Sequence, residues 1–563
     1  MKVIIVGGVA GGATAAARIR RLDEHAEITV FERSGYISYA NCGLPYYIGD
    51  VITDPEELTL QTPESFFKRF RINMKIHHEV ISIHPERKTV SVKNLENGEI
   101  FEENYDKLIL SPGAKPTQPR LPGVGMDKLF TLRTVEDTFR IKEYINKNHP
   151  KSAVLAGGGF IGLELAENLR ELGMDVTIVQ RPKQLMNPFD PDMASMIHNE
   201  MRKHGIKLVL GYTVEGFKEK DNGVEVLLKD NPSLQADMVV LAIGVTPDTA
   251  LAKEAGLELG IKGSIVVNDR METSVPDIYA AGDAVQVKHY VTGDDALISL
   301  AGPANKQGRI IADNICGGDS RYLGSQGSSV IKVFDMTAAT TGINETNAKK
   351  SGLEVDTVIL SPMSHAGYYP GGKVMTMKVV FEKESYRLLG AQIIGYEGVD
   401  KRIDVLATAI HAGLKATQLK DLDLAYAPPY SSAKDPVNMA GFMIDNIAKG
   451  TLKQWHLEDM DKISKDKSVV LLDVRTVGEF NRGHMDGFRN IPVDELRERI
   501  NEIEKGKPVY LICQSGLRSY IASRILEGNG YETYNFSGGF RFYDAVVNDR
   551  ALIERAYACG MDY

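Results

Sequence analysis

The pattern of apolar and polar residues divides the first part of the chain into short apolar runs separated by stretches of helical periodicity. Residues 2–6, 28–31, 152–155 and 176–179 are apolar runs of the length of buried strands. An Ala-rich helix pattern follows the first run, and a helix pattern over residues 163–172 follows the third. This order of strand, helix and strand occurs twice and predicts an α/β fold with parallel sheets.

Glycines form the turn after the first strand of each unit. The first turn contains four of them: Gly7, Gly8, Gly11 and Gly12. Glu32 ends the next strand, 20 residues after Gly12, and this spacing is typical of a βαβ unit that binds an adenosine dinucleotide. Val9 stands where that motif has its middle glycine, so the pyrophosphate must approach the backbone at Gly8 and Gly11.

The second unit matches the dinucleotide motif in full, with Gly157, Gly159 and Gly162. Two such units predict two bound dinucleotides, and the alternative is one functional site with a decayed copy. Two further apolar strands end in glycine turns, over residues 105–114 and 236–245, and the second turn contains Gly244. Both would return the chain to a nucleotide domain, as would the strand that ends at Asp283.

The character of the chain changes after residue 324. Residues 325–445 combine strand patterns with a helix pattern and predict a separate α+β domain. Residues 446–466 are polar, contain the only tryptophan, Trp455, and read as a linker with a short helix. Residues 467–563 have the size of a small α/β domain that folds alone.

Cys513 follows an apolar run and enters a short loop that ends at Gly516 and Arg518, with a helix pattern from Ser519 to Leu526. Such a loop points backbone N–H groups inward at a helix N-terminus and therefore favours an anion. A thiol in that place is nucleophilic. A second thiol, Cys42, lies shortly after the first dinucleotide motif.

The overall composition restricts the classes of function. The 563 residues correspond to about three to four domains, and a net charge of −9 without a long basic run makes nucleic acid an unexpected partner. We expect no signal peptide and no membrane span. The four cysteines are far apart, which fits the reducing cytoplasm. Three strand histidines, His77, His78 and His84, lack accompanying Cys or carboxylate ligands, so we expect no metal.

These ordered motifs of the first 445 residues resemble the flavin-dependent pyridine nucleotide–disulfide oxidoreductases. Residues 38–47 resemble the single-cysteine, coenzyme A-disulfide reductase branch, since Tyr47 stands five residues after Cys42, where the dithiol branch has a second cysteine. The last 95 or so residues resemble a rhodanese domain, through the Cys513 loop and short motifs at 472–475, 479–480, 483–484 and 491–492. Fusions of this kind are also described as NADH-dependent persulfide reductases.

The resemblance implies two nested Rossmann-like dinucleotide-binding domains, an α+β dimerisation domain and a C-terminal α/β rhodanese domain. The expected division is FAD-binding over 1–115 and 247–324, NAD(P)-binding over 116–246, dimerisation over 325–445, a linker over 446–466 and rhodanese over 467–563.

The resemblance also assigns cofactor ligands. FAD is expected at the first glycine turn, with Glu32, Arg33 and Asp283 as further ligands. The nicotinamide nucleotide is expected at the second turn and Gly244. Gln180 ends the strand where an acid would favour NADH, while Arg181 and Lys183 could attract the 2′-phosphate of NADPH, so the choice between the two nucleotides stays open.

Cys42 is expected at a helix N-terminus beside the flavin, as a thiolate that forms a mixed disulfide with coenzyme A. Tyr368 and Tyr426, contributed by the partner subunit of a homodimer, would supply protons to the departing thiolate. Further residues are candidates for contacts with the coenzyme. For each basic one of them, a solvated helix face is an equally good interpretation. The candidates are Arg18, Arg21, Ser38, Asn41, Lys68, Arg69, Arg71 and Tyr369.

The expected function is therefore an FAD-dependent reductase that uses NAD(P)H to reduce coenzyme A persulfide, polysulfide or coenzyme A disulfide. Its rhodanese domain would relay sulfane sulfur on Cys513, assisted by Arg518. One alternative is an NAD(P)H oxidase or peroxidase that cycles Cys42 through sulfenic acid. The other is a non-enzymatic sulfur carrier or redox sensor.

Overall fold

The computed structural model describes residues 1–221 and 223–559. The described chain forms two compact units. The first comprises residues 1–183 and 205–327, and the second comprises residues 184–204 and the chain from residue 328 onward. The segment 184–204 is thus packed with residues that are distant in sequence.

The chain up to residue 315 contains both glycine turns. Its elements up to residue 116 are β1 (Lys2–Val6), α1 (Ala10–Leu22), β2 (Glu27–Phe31), α2 (Leu44–Ile48), α3 (Pro63–Phe70), β3 (Asn73–Lys75), β4 (His78–His84), β5 (Thr89–Asn94), β6 (Ile100–Asn104), β7 (Lys107–Leu110) and β8 (Ala114–Pro116). The next are β9 (Leu129–Thr131), α4 (Val135–Asn148), β10 (Ser152–Ala156), α5 (Phe160–Glu171), β11 (Asp175–Gln180), α6 (Pro191–Lys203), β12 (Lys207–Leu210), β13 (Val214–Lys220), β14 (Gly223–Leu228), β15 (Asn231–Ala236), β16 (Met238–Leu241) and β17 (Val245–Pro247). The last are α7 (Ala250–Glu254), β18 (Ile278–Ala280), β19 (Val287–Lys288), β20 (Asp295–Ala296) and α8 (Ala301–Ile315).

Two parallel sheets organise the first unit, in the strand orders β18-β7-β1-β2-β3 and β12-β11-β10-β16-β9. In the first, β1 pairs with β2 and β7, and Val3, Ile4 and Ile5 are fully buried. Burial of each such aliphatic side chain contributes about 1.5–3 kcal/mol. The predicted strand–helix–strand units are confirmed, and each glycine turn lies at the carboxyl end of a central strand.

Each parallel sheet is accompanied by a three-stranded antiparallel meander, of which the sequence indicated only the strand with His78 and His84, while His77 precedes that strand. The first is β4-β5-β6 and the second is β13-β14-β15. These strands are partly exposed, so their hydrophobic pattern is weaker than that of the buried parallel strands. Each of the two glycine turns thus belongs to a module with one parallel sheet and one antiparallel meander, as expected for two copies of one nucleotide-binding module.

The second unit includes α6 and continues with an antiparallel sheet in the order β21-β22-β25-β24-β23. Its elements are β21 (Ser329–Val333), β22 (Met336–Gly342), α9 (Glu345–Lys350), β23 (Val355–Leu360), β24 (Met375–Glu382), β25 (Leu388–Gly395), α10 (Val399–His411) and α11 (Pro436–Ala448). This mixture of sheet and helices agrees with the predicted α+β character of the segment.

A buried charge cluster attaches the segment 184–204 to this sheet. Lys378 of β24 is almost inaccessible and lies 3.2 Å from Asp190, 2.8 Å from Asp192 and 2.7 Å from Glu345. Burial alone would lower the pKa of Lys378, but the three carboxylates raise it above its ordinary value. Because these groups are desolvated together, removal of one partner would leave buried charge unpaired.

The same unit contains a second sheet, which is parallel, in the order β26-β30-β29-β27-β28. Its elements are β26 (Gln454–Trp455), α12 (Met460–Ile463), β27 (Val470–Asp473), α13 (Val477–Arg482), β28 (Arg489–Asn490), β29 (Val509–Ile512), α14 (Leu517–Glu527), β30 (Thr533–Phe536) and α15 (Gly539–Cys559).

The interpretation of residues 446–466 as a linker is wrong for its central part. β26 pairs with β30, and Trp455 is 2% exposed, with its ring 4.5 Å from that of Phe536. The Trp455 indole N–H also donates to the carbonyl of Leu511, at 3.3 Å. A two-residue edge strand has no alternating pattern to detect, and only the tryptophan indicated a buried position.

Candidate active sites

The first glycine turn is shaped by close backbone contacts. Gly7 has a φ of +98°, and a Cβ on it would lie 2.1 Å from the carbonyl oxygen of Ser111. A Cβ on Gly12 would lie 1.9 Å from the carbonyl oxygen of Gly7. Helix α1 begins without a side-chain cap, so the N–H groups of its first turn are available to an anion, as a pyrophosphate site requires.

Glu32 lies directly behind this turn and is nearly buried. Its carboxylate accepts hydrogen bonds from the amides of Gly8, at 2.8 Å, and Ser34, at 2.9 Å. Arg33 is half exposed and pairs with Asp248 at 2.8 Å. Glu32 therefore lies at the turn as expected, whereas Arg33 has a carboxylate partner of its own.

The second glycine turn has close backbone contacts like those of the first, but the side chain behind it differs. Gly157 has a φ of +119°, a Cβ on Gly162 would lie 2.1 Å from the Gly157 carbonyl oxygen, and the space beside Gly159 is open. The amide of Gly158 donates to the side-chain oxygen of Gln180, at 3.0 Å. An uncharged amide thus occupies the position that a carboxylate holds in the first unit. Gly244, with a φ of +107°, also borders open space.

Asp283 lies on a 3₁₀ turn, Gly282–Ala284, after β18. Its carboxylate accepts a 2.7 Å hydrogen bond from Arg133. Sequence reasoning missed Arg133, which precedes the Thr134 cap of α4 and is 150 residues from its partner. The cap motif was visible in the sequence, but the pairing depends on the tertiary fold.

Cys42 lies in a 3₁₀ turn, Asn41–Gly43, that runs directly into α2. The turn follows Ser38, which has a φ of +45° and whose amide donates to the carbonyl of Gly8 at 2.9 Å. The fold therefore brings Ser38, four residues before Cys42, next to the first glycine turn. Cys42 is solvent accessible.

The electrostatic setting of Cys42 differs from the expectation of a readily formed thiolate. Desolvation by the surrounding protein raises the pKa of Cys42, and the charges of Glu164 and Asp283 raise it further, opposed by Arg133. Among the protein groups alone, the balance favours the thiol.

Glu164 on α5 is a second residue that sequence reasoning missed. Burial and the nearby Glu167 raise its pKa to about 7. Burial and the charge of Glu164 also raise the pKa of Tyr46, to about 12. An acid on the helix after the second glycine turn was visible in the sequence, but its proximity to Cys42 was not.

The basic side chains that are candidates for coenzyme binding differ in their contacts with the rest of the protein. Arg18 pairs with Asp313 at 2.8 Å, while Arg21 is exposed. Lys68 and Arg69 are in the last turn of α3, and Arg71 follows it and lies 5.3 Å from the ring of Phe67. These residues remain candidates, and in the ion pairs described for residues 1–221 and 223–559 Arg18 is the one of them that already pairs with a carboxylate.

The tyrosine candidates form a pair on the antiparallel domain of the second unit. The hydroxyls of Tyr368 and Tyr426 are 2.6 Å apart, and their side chains are 75% and 45% exposed. The hydrogen bond between the two hydroxyls raises the pKa of Tyr426. Tyr369 is also exposed and lies edge-on to His365. Such exposure leaves both phenols open to a ligand or a second chain.

The sulfur of Cys513 accepts two hydrogen bonds from nearby residues. The residue is 1% exposed, and its Sγ accepts from the amide of Gly516 at 3.1 Å and from the hydroxyl of Ser519 at 3.2 Å. Gly516 has a φ of +98°, which turns its N–H toward the sulfur. Ser519, in the first turn of α14, was missed by sequence reasoning although it lies only six residues after the cysteine.

Arg518 lies at the rim of this loop. It forms a two-pronged ion pair with Glu479, with both N–O distances at 2.7 Å. The pair with Arg518 lowers the pKa of Glu479 to about 2. Arg518 is therefore positioned by Glu479, a residue that the sequence analysis used only as part of a motif.

Comparisons with known proteins agree with this arrangement. Residues 1–308 match the model of pyridine nucleotide-disulphide oxidoreductases, residues 328–436 its dimerisation domain and residues 456–545 the rhodanese-like domain. The first match covers more than half of the chain. The chain belongs to the pyridine nucleotide-disulphide oxidoreductase family.

Among members of this oxidoreductase family, coenzyme A disulfide reductase of Staphylococcus aureus (strain JH9) is 39% identical over 443 residues, which are 78% of this chain and 99% of that protein. The crystal structure of reduced Bacillus anthracis CoADR-RHD is 49% identical, with a TM-score of 0.95 and 98% of each chain covered. A NAD-dependent persulfide reductase from A. fulgidus is 39% identical, with a TM-score of 0.90, covering 96% of this chain and all of that one.

As a member of this oxidoreductase family, the protein is an enzyme that uses FAD and NAD(P)H. The residues fit two dinucleotides, since α1 and α5 both begin without side-chain caps and Gly159 leaves open space for a phosphate. Among the helices described, none has the length and apolarity needed to cross a bilayer.

Proposed function

We propose that the enzyme reduces coenzyme A persulfide, polysulfide or coenzyme A disulfide with NAD(P)H, using Cys42 as its nucleophile. The observation that carries this proposal is the accessible Cys42 thiol, four residues after the Ser38 that contacts the first glycine turn, with Tyr47 where a dithiol cycle would need a second cysteine. The relatives named as coenzyme A disulfide reductase and persulfide reductase support this substrate class.

The Cys42 thiolate would attack the coenzyme-side sulfur of the persulfide. The S–S bond of the persulfide breaks, HS⁻ leaves, and Cys42 becomes joined to coenzyme A through a mixed disulfide. The residues of the first glycine turn and Glu32 would hold FAD, which, when bound and reduced by NAD(P)H, would supply the electron pair for cleavage of this disulfide. Cys42 then returns to a thiolate, and the coenzyme leaves as a thiol after taking one proton.

Tyr368 and Tyr426 are the proposed source of that proton, acting in the partner subunit's site within a homodimer. Their hydrogen-bonded hydroxyls are exposed and free of carboxylate neighbours in the contacts described, which suits a group that gives and regains a proton. We expect a double Tyr368→Phe and Tyr426→Phe variant to bind FAD normally but to lose most of its turnover. Full turnover in this variant would contradict the assignment, and a fully active monomer in sedimentation would contradict the shared site.

The rhodanese-like domain would transfer sulfane sulfur on Cys513, giving coenzyme A persulfide for reduction at Cys42. The two donors to Sγ support a thiolate or persulfide at this position. We also propose that the FAD-binding, NAD(P)-binding, dimerisation and rhodanese segments follow the order given above and that the enzyme is cytoplasmic. The choice between NADH and NADPH stays open, because Gln180 neither repels nor attracts a 2′-phosphate by charge.

Steady-state rates with coenzyme A disulfide, coenzyme A persulfide and polysulfide, each with NADH and NADPH, test the function. We expect a yellow protein with one FAD per chain that oxidises the nucleotide only when a sulfur acceptor is present. Rapid oxidation with peroxide alone would instead support the sulfenic acid cycle. That cycle and a non-enzymatic role are not favoured, because two solved structures that match nearly the whole chain are those of a CoADR-RHD and a persulfide reductase.

A further inference from the structure

Arg402 of α10 is a charged side chain inside the antiparallel domain of the second unit. It is 1% exposed and pairs at 3.0 Å with Asp435, which is 3% exposed. Asp435 also caps α11, because its carboxylate accepts from the amide of Val437 at 2.9 Å. Replacement of a buried ion pair by apolar residues is often neutral or stabilising, so domain stability alone is a weak explanation for this pair.

The guanidinium of Arg402 also contacts the two loops that carry the tyrosine pair. It donates to the carbonyl of Ser364 at 2.9 Å and to the carbonyl of Tyr430 at 3.1 Å. Ser364 stands four residues before Tyr368, and Tyr430 stands four residues after Tyr426. One buried side chain therefore joins the two loops.

Ser431 forms a second connection between the same loops. Its hydroxyl accepts from Arg402 at 3.2 Å and donates to Asp435 at 2.7 Å. Its carbonyl accepts from the amide of Ala366 at 2.9 Å, and the residue is fully buried. Directional hydrogen bonds in a buried place thus fix how the two loops lie against each other.

The two tyrosines have little packing of their own. Tyr368 and Tyr426 are 75% and 45% exposed, yet their hydroxyls are 2.6 Å apart. An exposed side chain keeps much of its rotamer freedom, so a short contact between two of them depends on the backbone that carries them. The hydrogen bonds of Arg402 and Ser431 hold that backbone on both sides of the contact.

We propose that Arg402 is a positioning residue for the Tyr368–Tyr426 pair and keeps the two phenols within hydrogen-bond distance of each other. The inference rests on the proposed function, in which these tyrosines supply a proton to the coenzyme thiolate. When one phenol gives that proton, its O–H bond breaks and a phenolate remains. The other phenol donates a hydrogen bond to this phenolate until water returns the proton. Arg402 is buried, so it acts through the tyrosines and not on the substrate.

The test measures coenzyme A disulfide reduction by the full-length Arg402→Lys variant. Lysine keeps the charge beside Asp435, but a single ammonium group replaces the planar fork of N–H donors and cannot join both loops. We expect kcat to fall about tenfold, whereas the flavin content and the rate of flavin reduction by NAD(P)H stay unchanged. Lys378→Arg makes the opposite exchange in the buried charge cluster described above. It is the matched control and should have a lower Tm but an unchanged kcat.

Non-additivity separates a positioning role from a general structural role. In the background of the double Tyr368→Phe and Tyr426→Phe variant, Arg402→Lys should not lower kcat further, because its effect passes through the phenols. Ser431→Ala is a milder change that should lower kcat about threefold and lose its effect in the same background. If Arg402→Lys does not fold, Ser431→Ala carries the same comparison. An equal fall of kcat with and without the phenols, or no fall with the phenols present, would overturn the proposal.

A fluorine NMR signal tests the position of the phenols independently of the proposed function. With fluorotyrosine in place of Tyr426, the resonance should shift in Arg402→Lys in the same direction as in Tyr368→Phe, because both changes remove the phenol partner. Lys378→Arg should leave it unchanged. Full turnover of the double phenylalanine variant together with this shift would remove the proton transfer but leave the positioning in place. An unchanged resonance in Arg402→Lys would overturn the positioning, even with tyrosines that are essential for turnover.

Discussion

Cys42 and Cys513 have opposite surroundings within their own units. Cys42 is accessible, and desolvation together with Glu164 and Asp283 raises its pKa. Cys513 is buried, and its sulfur accepts from a backbone amide and a serine hydroxyl. Both thiols lie in a short segment that leads into a helix, so the local sequence pattern alone does not fix the reactivity of a thiol.

From this difference we infer what stabilises the thiolate form of each cysteine. The donors to Cys513 belong to its own loop and helix, and they are in place before any substrate arrives. At Cys42 the protein groups alone favour the thiol, so we infer that the groups that bind beside it supply the missing stabilisation. Cys42 would then be activated by assembly of the complete site, and Cys513 by its loop.

The largest expected effect separates the thiols by function. Cys42→Ser should lower the reduction of coenzyme A disulfide and persulfide by at least about a thousandfold, because no other thiol lies beside the first glycine turn in the described chain. Flavin absorbance should be retained. Cys316→Ser, at the end of α8, is the matched control and should stay active. Substantial reductase activity in Cys42→Ser would show that the chemistry occurs elsewhere.

A smaller effect is expected at the second thiol. Ser519→Ala removes one of the two donors to Cys513, and loss of a hydrogen bond to a charged sulfur corresponds to about tenfold slower sulfur transfer. Ser523→Ala is the control, since that hydroxyl bonds to the carbonyl of Tyr520 on the same helix. Transfer from thiosulfate to cyanide measures both. If Ser519→Ala is as active as the control, the hydroxyl does not stabilise the thiolate.

The smallest expected effect sharpens the account of Cys42. Burial raises the pKa of Glu164 to about 7, so it carries a proton below that pH and a negative charge above it. Glu164→Gln should therefore make Cys42 react a few times faster with iodoacetamide above pH 7 and leave the rate almost unchanged at acidic pH. Glu171→Gln, exposed near the end of the same helix, is the control. A pH-independent ratio between variant and wild type would contradict the electrostatic explanation.

The sequence predicted those features whose residues are close together in the chain. The glycine turns, Glu32 and the Cys513 loop each depend on a short segment, and the structure places these residues at the expected turns. Arg133 and Glu164 were missed because their effects on Asp283 and Cys42 arise from contacts over more than 100 residues of sequence. Ser519 begins the predicted helix, six residues after Cys513. That position in the first turn was the available indication that its hydroxyl could contact the cysteine.

Two features of the fold that the sequence did not predict also depend on residues that are distant in the chain. The pattern of residues 446–466 is polar, yet Trp455 is buried by strands that follow it in sequence. The segment 184–204 joins the second unit through Lys378, a buried lysine that no periodicity identifies. Both cases depend on tertiary partners, which a pattern along one segment does not contain.

The central claim is that the two thiols perform separable steps, and Cys513→Ser tests it most directly. Reduction of coenzyme A disulfide and sulfur transfer from thiosulfate are measured on the same preparation of the variant. The account predicts that disulfide reduction continues at nearly the wild-type rate, because it needs only Cys42, the flavin and the nucleotide, while sulfur transfer disappears. Loss of both activities, or loss of neither, would contradict it.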